Sequence, residues 1–558
     1  MTPDNLLTAG HSFLRLLAHT QTPVLVGELT MHSLATLRSS GYQNTGLVKL
    51  KLTEHLDTFP CEILDNGRYG VANTLEILDL SGTGISSLPE DFGSRLPRLK
   101  IAFFSNCNFK EFPRVLAECP RLEMVAFRSN GMTGWANDKN GGDDPESDFP
   151  FPPRLRWLIL TENNLQSIPS SIGGCTRLEK CMLAGNGLAD LPDALSKCRD
   201  LTLLRLAANK LKALPPWLPS MPKLAFLSFA GNPCAGQGVG EESAERATPS
   251  FRTSPLPYVD WDRIEFHQVL GEGASGIISK GTIRSEAAAD NTTGPSAGGD
   301  ELTTTNTYRD PVAIKIFRGA LTSDGTPYDE MAACLAAGQH DNLVRVHGQI
   351  RWNNGIGEDG PYERIEEHLT SKAFKGGLIM ELIPPRYRVL GLPPSFDTCT
   401  RDCFNKDGQN ANKLSEKGVI KILVGVASAA AHLHGLGIAH GDLYAHNILV
   451  SDGGKDTSGQ YEEAHAILSD FGAATMYESI TDVPSTPDLE KLEVLAFGYL
   501  VDDLLGLMEA PAGGVEDDGC STVSSTRHQL SRLYDRCVVP AVADRPTFAA
   551  IHEELERM

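Results

Sequence analysis

The chain has 558 residues and a net charge of −21, so it is long enough for several domains and too acidic for nucleic acid or an anionic membrane as its main partner. No charged-then-apolar leader precedes a cleavage site, and no uninterrupted apolar run is long enough to cross a bilayer, so neither secretion nor a membrane span is expected. The 12 cysteines follow no disulfide or zinc spacing. Cys119, Cys175 and Cys198 recur at one place in a repeat and are expected as small buried apolar groups in a reducing, cytoplasmic setting.

Residues 1–46 are expected to form a helical cap. A spacing L-x-x-L-x-L-x-x-N-x-L follows, as in Leu155-Leu158-Leu160-Asn163-Leu165, Leu178-Cys181-Leu183-Asn186-Leu188 and Leu201-Leu204-Leu206-Asn209-Leu211. Units starting at Leu155, Leu178, Leu201 and Leu224 are 23 residues apart; the unit at Leu122 carries an insertion within 134–149, and a degenerate first unit begins at Leu47. These residues resemble leucine-rich repeats. The resemblance implies an α/β solenoid over 47–234, with one short strand per repeat in a parallel sheet and the Asn side chain bonding turn backbone. Side-chain alternation sends a second set of residues outward from the sheet. That set includes Phe103, Met124, Trp157, Ile159, Met182, Leu203 and Phe226, an apolar band expected to recruit a protein partner or substrate.

Residues 235–259 are rich in Gly, Ser and Pro and are expected as a linker to a second domain over 260–558. Three polar segments, about 284–309, 353–376 and 394–415, fall between its elements and are expected as surface insertions. Gly271, Gly273 and Gly276, with Ile278, form a glycine-rich turn that lets backbone approach phosphate oxygens. Val312-Ala313-Ile314-Lys315 follows on a β-prone run, then Leu378-Ile379-Met380-Glu381-Leu382-Ile383. His440-Gly441-Asp442-Leu443-Tyr444-Ala445-His446-Asn447 and Asp470-Phe471-Gly472 complete the set.

In this order and spacing these motifs resemble the protein-kinase family. The resemblance implies a two-lobed α+β fold after the solenoid, and ATP and magnesium as cofactors. Asp442 would be the catalytic base; Asn447 and Asp470 would hold magnesium. Lys315 would hold the α/β-phosphates with Glu330 as its ion-pair partner, Asp329 being the alternative. Ala313, Met380, Glu381, Ile383 and Leu449 would surround the adenine, and His440 would pack against Phe471.

Three departures stand out. Gly441 replaces the usual Arg beside the catalytic Asp, and Tyr444 replaces the phosphate-contacting Lys of Ser/Thr kinases, while His446 replaces the Arg of tyrosine kinases. Glu493, at the usual Asp position of the central helix, follows Asp470 by only 23 positions, with no A-P-E between them to pair with Arg545. The expected activity is phosphotransfer to protein, Ser/Thr over Tyr. A pseudokinase scaffold and a small-molecule kinase are the alternatives. Regulation is expected through solenoid occupancy or substrate recruitment, not through a phosphate on the loop hydroxyls Thr475, Tyr477, Ser479, Thr481, Ser485 and Thr486.

Overall fold

The computed structural model describes residues 33–38, 46–67, 70–136, 149–235, 256–273, 275–284, 310–317, 321–322, 324–351, 376–404, 413–455, 461–477, 489–509 and 525–558. The expected cap at 1–46 falls mostly outside them; within it, Leu34–Arg38 is helical.

The repeats build one sheet from eight three-residue strands, β1 Lys49–Lys51, β2 Ile77–Asp79, β3 Ile101–Phe103, β4 Met124–Ala126, β5 Trp157–Ile159, β6 Lys180–Met182, β7 Leu203–Arg205 and β8 Phe226–Ser228. They lie side by side in chain order, all parallel and in register from one repeat to the next. The asparagines explain the register. Asn186 Nδ2 donates to Leu160 O at 3.0 Å and Leu183 O at 2.9 Å, and its Oδ1 accepts from Leu165 N at 3.1 Å. Asn209 repeats this one repeat later, to Leu183 O, Leu206 O and Leu188 N. Each side chain thus ties its own turn to the one before and satisfies buried backbone groups that no strand pairs.

Behind the sheet, 3₁₀ turns such as Ser170–Gly174 and Asp193–Lys197 each follow a proline, Pro169 and Pro192. Leu78, Ala102, Val125, Leu158, Cys181, Leu204 and Leu227 point into this core. Cys119, Cys175 and Cys198 are buried there as free thiols, and burial pushes Cys175 up to about 12 and Cys198 to about 11, which keeps both protonated.

The second half opens with a six-stranded sheet. Its strands are β9 Tyr258–Asp260, β10 Ile264–Glu272, β11 Gly276–Ile283, β12 Val312–Phe317, β13 Val346–Arg351 and β14 Gly377–Glu381. Their order is β9-β13-β14-β12-β11-β10, so the segment expected as linker already supplies the edge strand β9, parallel to β13. Helix α1, Pro327–Ala337, packs on this sheet; Thr326 caps it by accepting the Asp329 amide at 3.1 Å. Beyond it lie the helices α2 Glu416–Gly435, α3 Leu489–Leu507, α4 Ser525–Cys537 and α5 Phe548–Glu556, with short strands such as Ile448–Ser451 and His465–Leu468 among them. Among the described residues α2 alone is long and apolar enough to cross a membrane, yet Val419, Ile422, Leu423, Val426 and Leu433 sit in the protein core against α3 and α5.

The apolar band does not face solvent. Ile77, Ile101, Phe103, Met124 and Trp157 are buried, and the cluster they form includes Cys399, with Phe396 packed against it. Trp157 Nε1 donates to Cys399 Sγ, and the Phe396 ring lies 6.1 Å from the Trp157 ring. Leu203 and Phe226 join the core of the helical half, with Met182 against it. The expectation that Phe103, Met124, Trp157, Ile159, Met182, Leu203 and Phe226 offer an open face to a separate partner is therefore corrected. Phe103, Met124, Trp157, Leu203 and Phe226 are buried, and Ile159 and Met182 are partly buried. So is the reading of 394–415 as a surface insertion, because its described part docks on the band. The reason is the hydrophobic effect: removing a large apolar side chain from water contributes about 1.5–3 kcal/mol, and the chain's own residues are the nearest cover.

Asn186→Ala leaves the Leu165 amide buried without its acceptor and removes one of the two side-chain donors that each of the Leu160 and Leu183 carbonyls has. It is expected to lower stability by about 3 kcal/mol, read as a lower midpoint in urea unfolding of the intact protein. A midpoint unchanged within error would reject the bridging role.

Candidate active site

The glycine turn joins β10 to β11, where Gly271 pairs with Ile278 and Glu272 with Ile277; Gly273 N donates to Gly276 O at 2.8 Å. At Gly276 a Cβ would lie 2.1 Å from Ile316 O, so only glycine fits between the two strands. Lys315 sits in β12 between Ile278 and Leu378. Its Nζ forms an ion pair with Glu330 of α1, both side chains nearly buried. Burial works against the Lys315 charge, but Glu330 and Asp470 more than offset it and hold the pKa above its usual value. Asp329 instead serves the start of α1, where its carboxylate accepts from Thr326 Oγ1 at 2.6 Å. Glu330 is thus the residue brought to Lys315.

These groups border a cavity of about 930 Å³. Gly271, Gly273, Gly276, Ile278, Ala313, Lys315, Glu330, Met380, Glu381, Ile383, Leu449 and Asp470 all line it. Cys334, Leu392 and Phe404 also line it, though the motifs gave no sign of them. Phe404 reaches it from the docked segment and Leu392 from just before it, and that proximity arises only on folding.

The catalytic loop is held from several sides. His440 Nε2 meets Ser469 O at 3.1 Å, and its ring lies 5.4 Å from Phe471. Glu493 of α3 accepts from Gly441 N at 2.6 Å, His440 N at 3.2 Å and His434 Nε2 at 2.7 Å. Burial works to raise Glu493, but His434 leads the groups that hold it below its usual value. Asn447 Nδ2 donates to Asp442 Oδ2 at 2.8 Å and to Asp442 O at 2.9 Å, whereas its Oδ1 is buried with no partner among the described residues. Asp470 holds a positive φ of 64° and accepts from Gly472 N at 3.1 Å.

Unlike Asp470, Asp442 does not line the cavity; it is 8% exposed and meets the repeat sheet. Arg205 of β7, 1% exposed, donates through Nη2 to Asp442 Oδ1, through Nη1 to Gly441 O at 2.8 Å and through Nε to Asp324 Oδ1 at 2.8 Å. Burial works to raise Asp442, but Arg205 foremost, then His446 and His440, outweigh it and depress its pKa. Tyr444 stacks on Phe226 of β8, ring centroids 3.8 Å apart and planes within 9°. The role of Arg205 was not visible in the sequence, because nothing in a repeat's spacing says which outward residue meets the catalytic loop.

A family model for protein tyrosine and serine/threonine kinases matches residues 264–490, and a leucine-rich-repeat model matches 74–94. The chain joins a protein-kinase domain to leucine-rich repeats. The serine/threonine-protein kinase TNNI3K of Mus musculus is 22% identical over 246 residues, covering 43% of this chain. The protein of that name from Homo sapiens is 21% identical over 230 residues, covering 40%. The match spans only about a fifth of the length of these relatives.

Two departures have partners elsewhere in the chain. His446 Nδ1 lies 2.8 Å from Asp402 Oδ1, buried, in place of the tyrosine-kinase Arg. Arg545, expected to lack a partner, donates to Val539 O at 3.0 Å, Lys491 O at 3.0 Å and Pro222 O at 2.8 Å. Of the loop hydroxyls, Thr475 is buried and its Oγ1 accepts from Phe229 N at 3.1 Å, while Tyr477 OH lies 2.9 Å from His434 Nδ1. Ser479, Thr481, Ser485 and Thr486 lie outside the described residues.

The His446–Asp402 pair predicts a pH effect. Burial works to lower the pKa of His446, but Asp402 outweighs it and raises the pKa above 6.5. A raised folded pKa gives stability that is complete below the unfolded value and fades as pH rises through the folded one. Asp402→Asn is therefore expected to cost most stability near about pH 6, with the gap to the parent closing as pH rises further. Thermal melts of both proteins across this range check it, and a gap that widens with pH would exclude a charged pair.

Proposed function

We propose that this chain is an ATP- and magnesium-dependent protein kinase that transfers a phosphoryl group to Ser or Thr hydroxyls. The observation that carries the reading is Asn447. Its amide nitrogen fixes both the main chain and the carboxylate of Asp442, and its buried oxygen is left without a partner. An oxygen in that condition is costly unless a cation or donor meets it, and a divalent ion shared with Asp470 fits. A bound magnesium would neutralise charge on the phosphates. Lys315, fixed by Glu330, would position them under the glycine turn, and Asp442 would orient the acceptor hydroxyl and take its proton. Ala313, Met380 and Leu449 would sandwich the adenine, with backbone near Glu381 and Ile383 at its edge.

We further read the repeat sheet as the inner wall of a leucine-rich-repeat solenoid that serves protein interaction, in a reducing cytoplasmic setting that suits its free buried cysteines. One observation favours the second reading, a nucleotide-binding scaffold: both Asp442 oxygens are engaged and the residue is nearly buried.

Lys315→Met and Asp470→Asn test the assignment. Lys315→Met should abolish phosphate transfer from labelled ATP to a generic acceptor such as casein. Asp470→Asn should weaken the magnesium-dependent part of the thermal shift that ATP gives the intact protein. Transfer at the parental rate by either variant would exclude the assigned roles.

A further inference from the structure

Gly441, Tyr444 and Arg545, where the kinase pattern changes or loses its partner, share one feature. At Gly441, which has a φ of +74°, a Cβ would lie 2.6 Å from Ala473 O and 2.8 Å from Leu227 O of β8, so this backbone takes no side chain there and lets β8 approach closely. At Tyr444 the side chain is a flat ring laid on Phe226. Arg545 turns one guanidinium nitrogen to Pro222 O, a repeat carbonyl. Gly441, Tyr444 and Arg545 all meet the last two repeats, whereas His446 pairs with Asp402.

The contact covers one side of the site and leaves the other open. The cavity bordered by Lys315, Glu330 and Asp470 keeps its volume of about 930 Å³. Asp442, by contrast, is covered, with Arg205 on one oxygen and Asn447 on the other. An acceptor hydroxyl needs hydrogen-bond reach of that carboxylate, about 2.6–3.2 Å. Arg205 and Phe226 stand over the two loop residues, Asp442 and Tyr444, that such an acceptor would approach.

Resting on the kinase reading above, we propose that the face of β7 and β8 is an intramolecular acceptor-site block: Arg205 and Phe226 occupy the catalytic loop, so nucleotide enters freely while a phosphate acceptor reaches Asp442 only after the repeats move away. The occupant of this face is the chain's own segment 440–446, already seated on it. This part of the contact is its polar part, beside the apolar cover of β2–β5. Its centre is a buried cluster of charge, Arg205 with Asp324 and Asp442, where apolar residues of the same volume would bind as well or better. A protein that competes for the repeat face would release the loop, which places control in the repeats and not in the activation segment.

The test uses the full chain with Arg205→Ala, Phe226→Ala and the double variant. Three quantities are read: phosphate transfer from labelled ATP to casein, the thermal shift with ATP and magnesium, and hydrogen exchange of the amides at 440–447 and 226–229. The expected result is at least tenfold faster transfer by the double variant, faster exchange in both segments and an unchanged nucleotide shift. Transfer at or below the parental rate by a variant that keeps its nucleotide shift overturns the block and makes Arg205 a support for Asp442 instead. Faster exchange with no transfer by any variant, parent included, overturns the kinase reading and with it the block. Should the double variant lose its nucleotide shift through misfolding, Asp324→Ala decides. It leaves Arg205 and Phe226 in place, removes the partner of Nε, and must also raise transfer for the proposal to stand. Asp442→Asn in the Arg205→Ala background must return transfer to zero.

Discussion

The guanidinium of Arg205, buried between two domains, is the constraint around which the molecule is arranged. A buried cation must be paired and its donors satisfied, or the fold is penalised by several kcal/mol. Here Asp324, Asp442 and the Gly441 carbonyl satisfy it, so one side chain fixes where the repeat sheet stands relative to the catalytic loop. Other contacts agree with that placement. Phe226 lies flat on Tyr444, Phe229 N donates to Thr475, and Arg545 reaches Pro222 O.

The placement has two consequences for packing. The apolar band along β2–β5 needs cover, and Phe396 and Cys399 supply it from the segment that follows Leu392. The same segment then continues to Asp402, which holds His446, and to Phe404, which lines the cavity bordered by Lys315. One insertion therefore couples the middle of the repeat sheet to the catalytic loop and to the cavity wall, through contacts between packed and bonded side chains.

Within the kinase domain the interactions are local and conventional in their physics. Glu493 gathers the amides of His440 and Gly441 and the ring of His434, which fixes the start of the loop from α3. Lys315 and Glu330 hold β12 to α1. Neither depends on the repeats, which is why the cavity can be well formed on one side while the loop's other side is covered.

The sequence by itself determined what depends on periodicity and on short motifs. The 23-residue repeat dictated parallel strands in register, and side-chain alternation along each strand correctly separated Leu158 and Cys181 from Trp157 and Lys180. The glycine turn, Lys315 and Asp470 were legible because each motif's local backbone geometry brings it to one cavity. Glu330 needed the helix cap at Thr326 to be separated from Asp329. What only tertiary structure decided was which surface meets which. An apolar band announces that it will be covered, not by what. The identity of the cover rests on shape and on the pairing of single charges more than 200 residues apart, as with Arg205 and Asp442. No local spacing encodes that pairing, because the free energy that selects it exists only when both domains are folded.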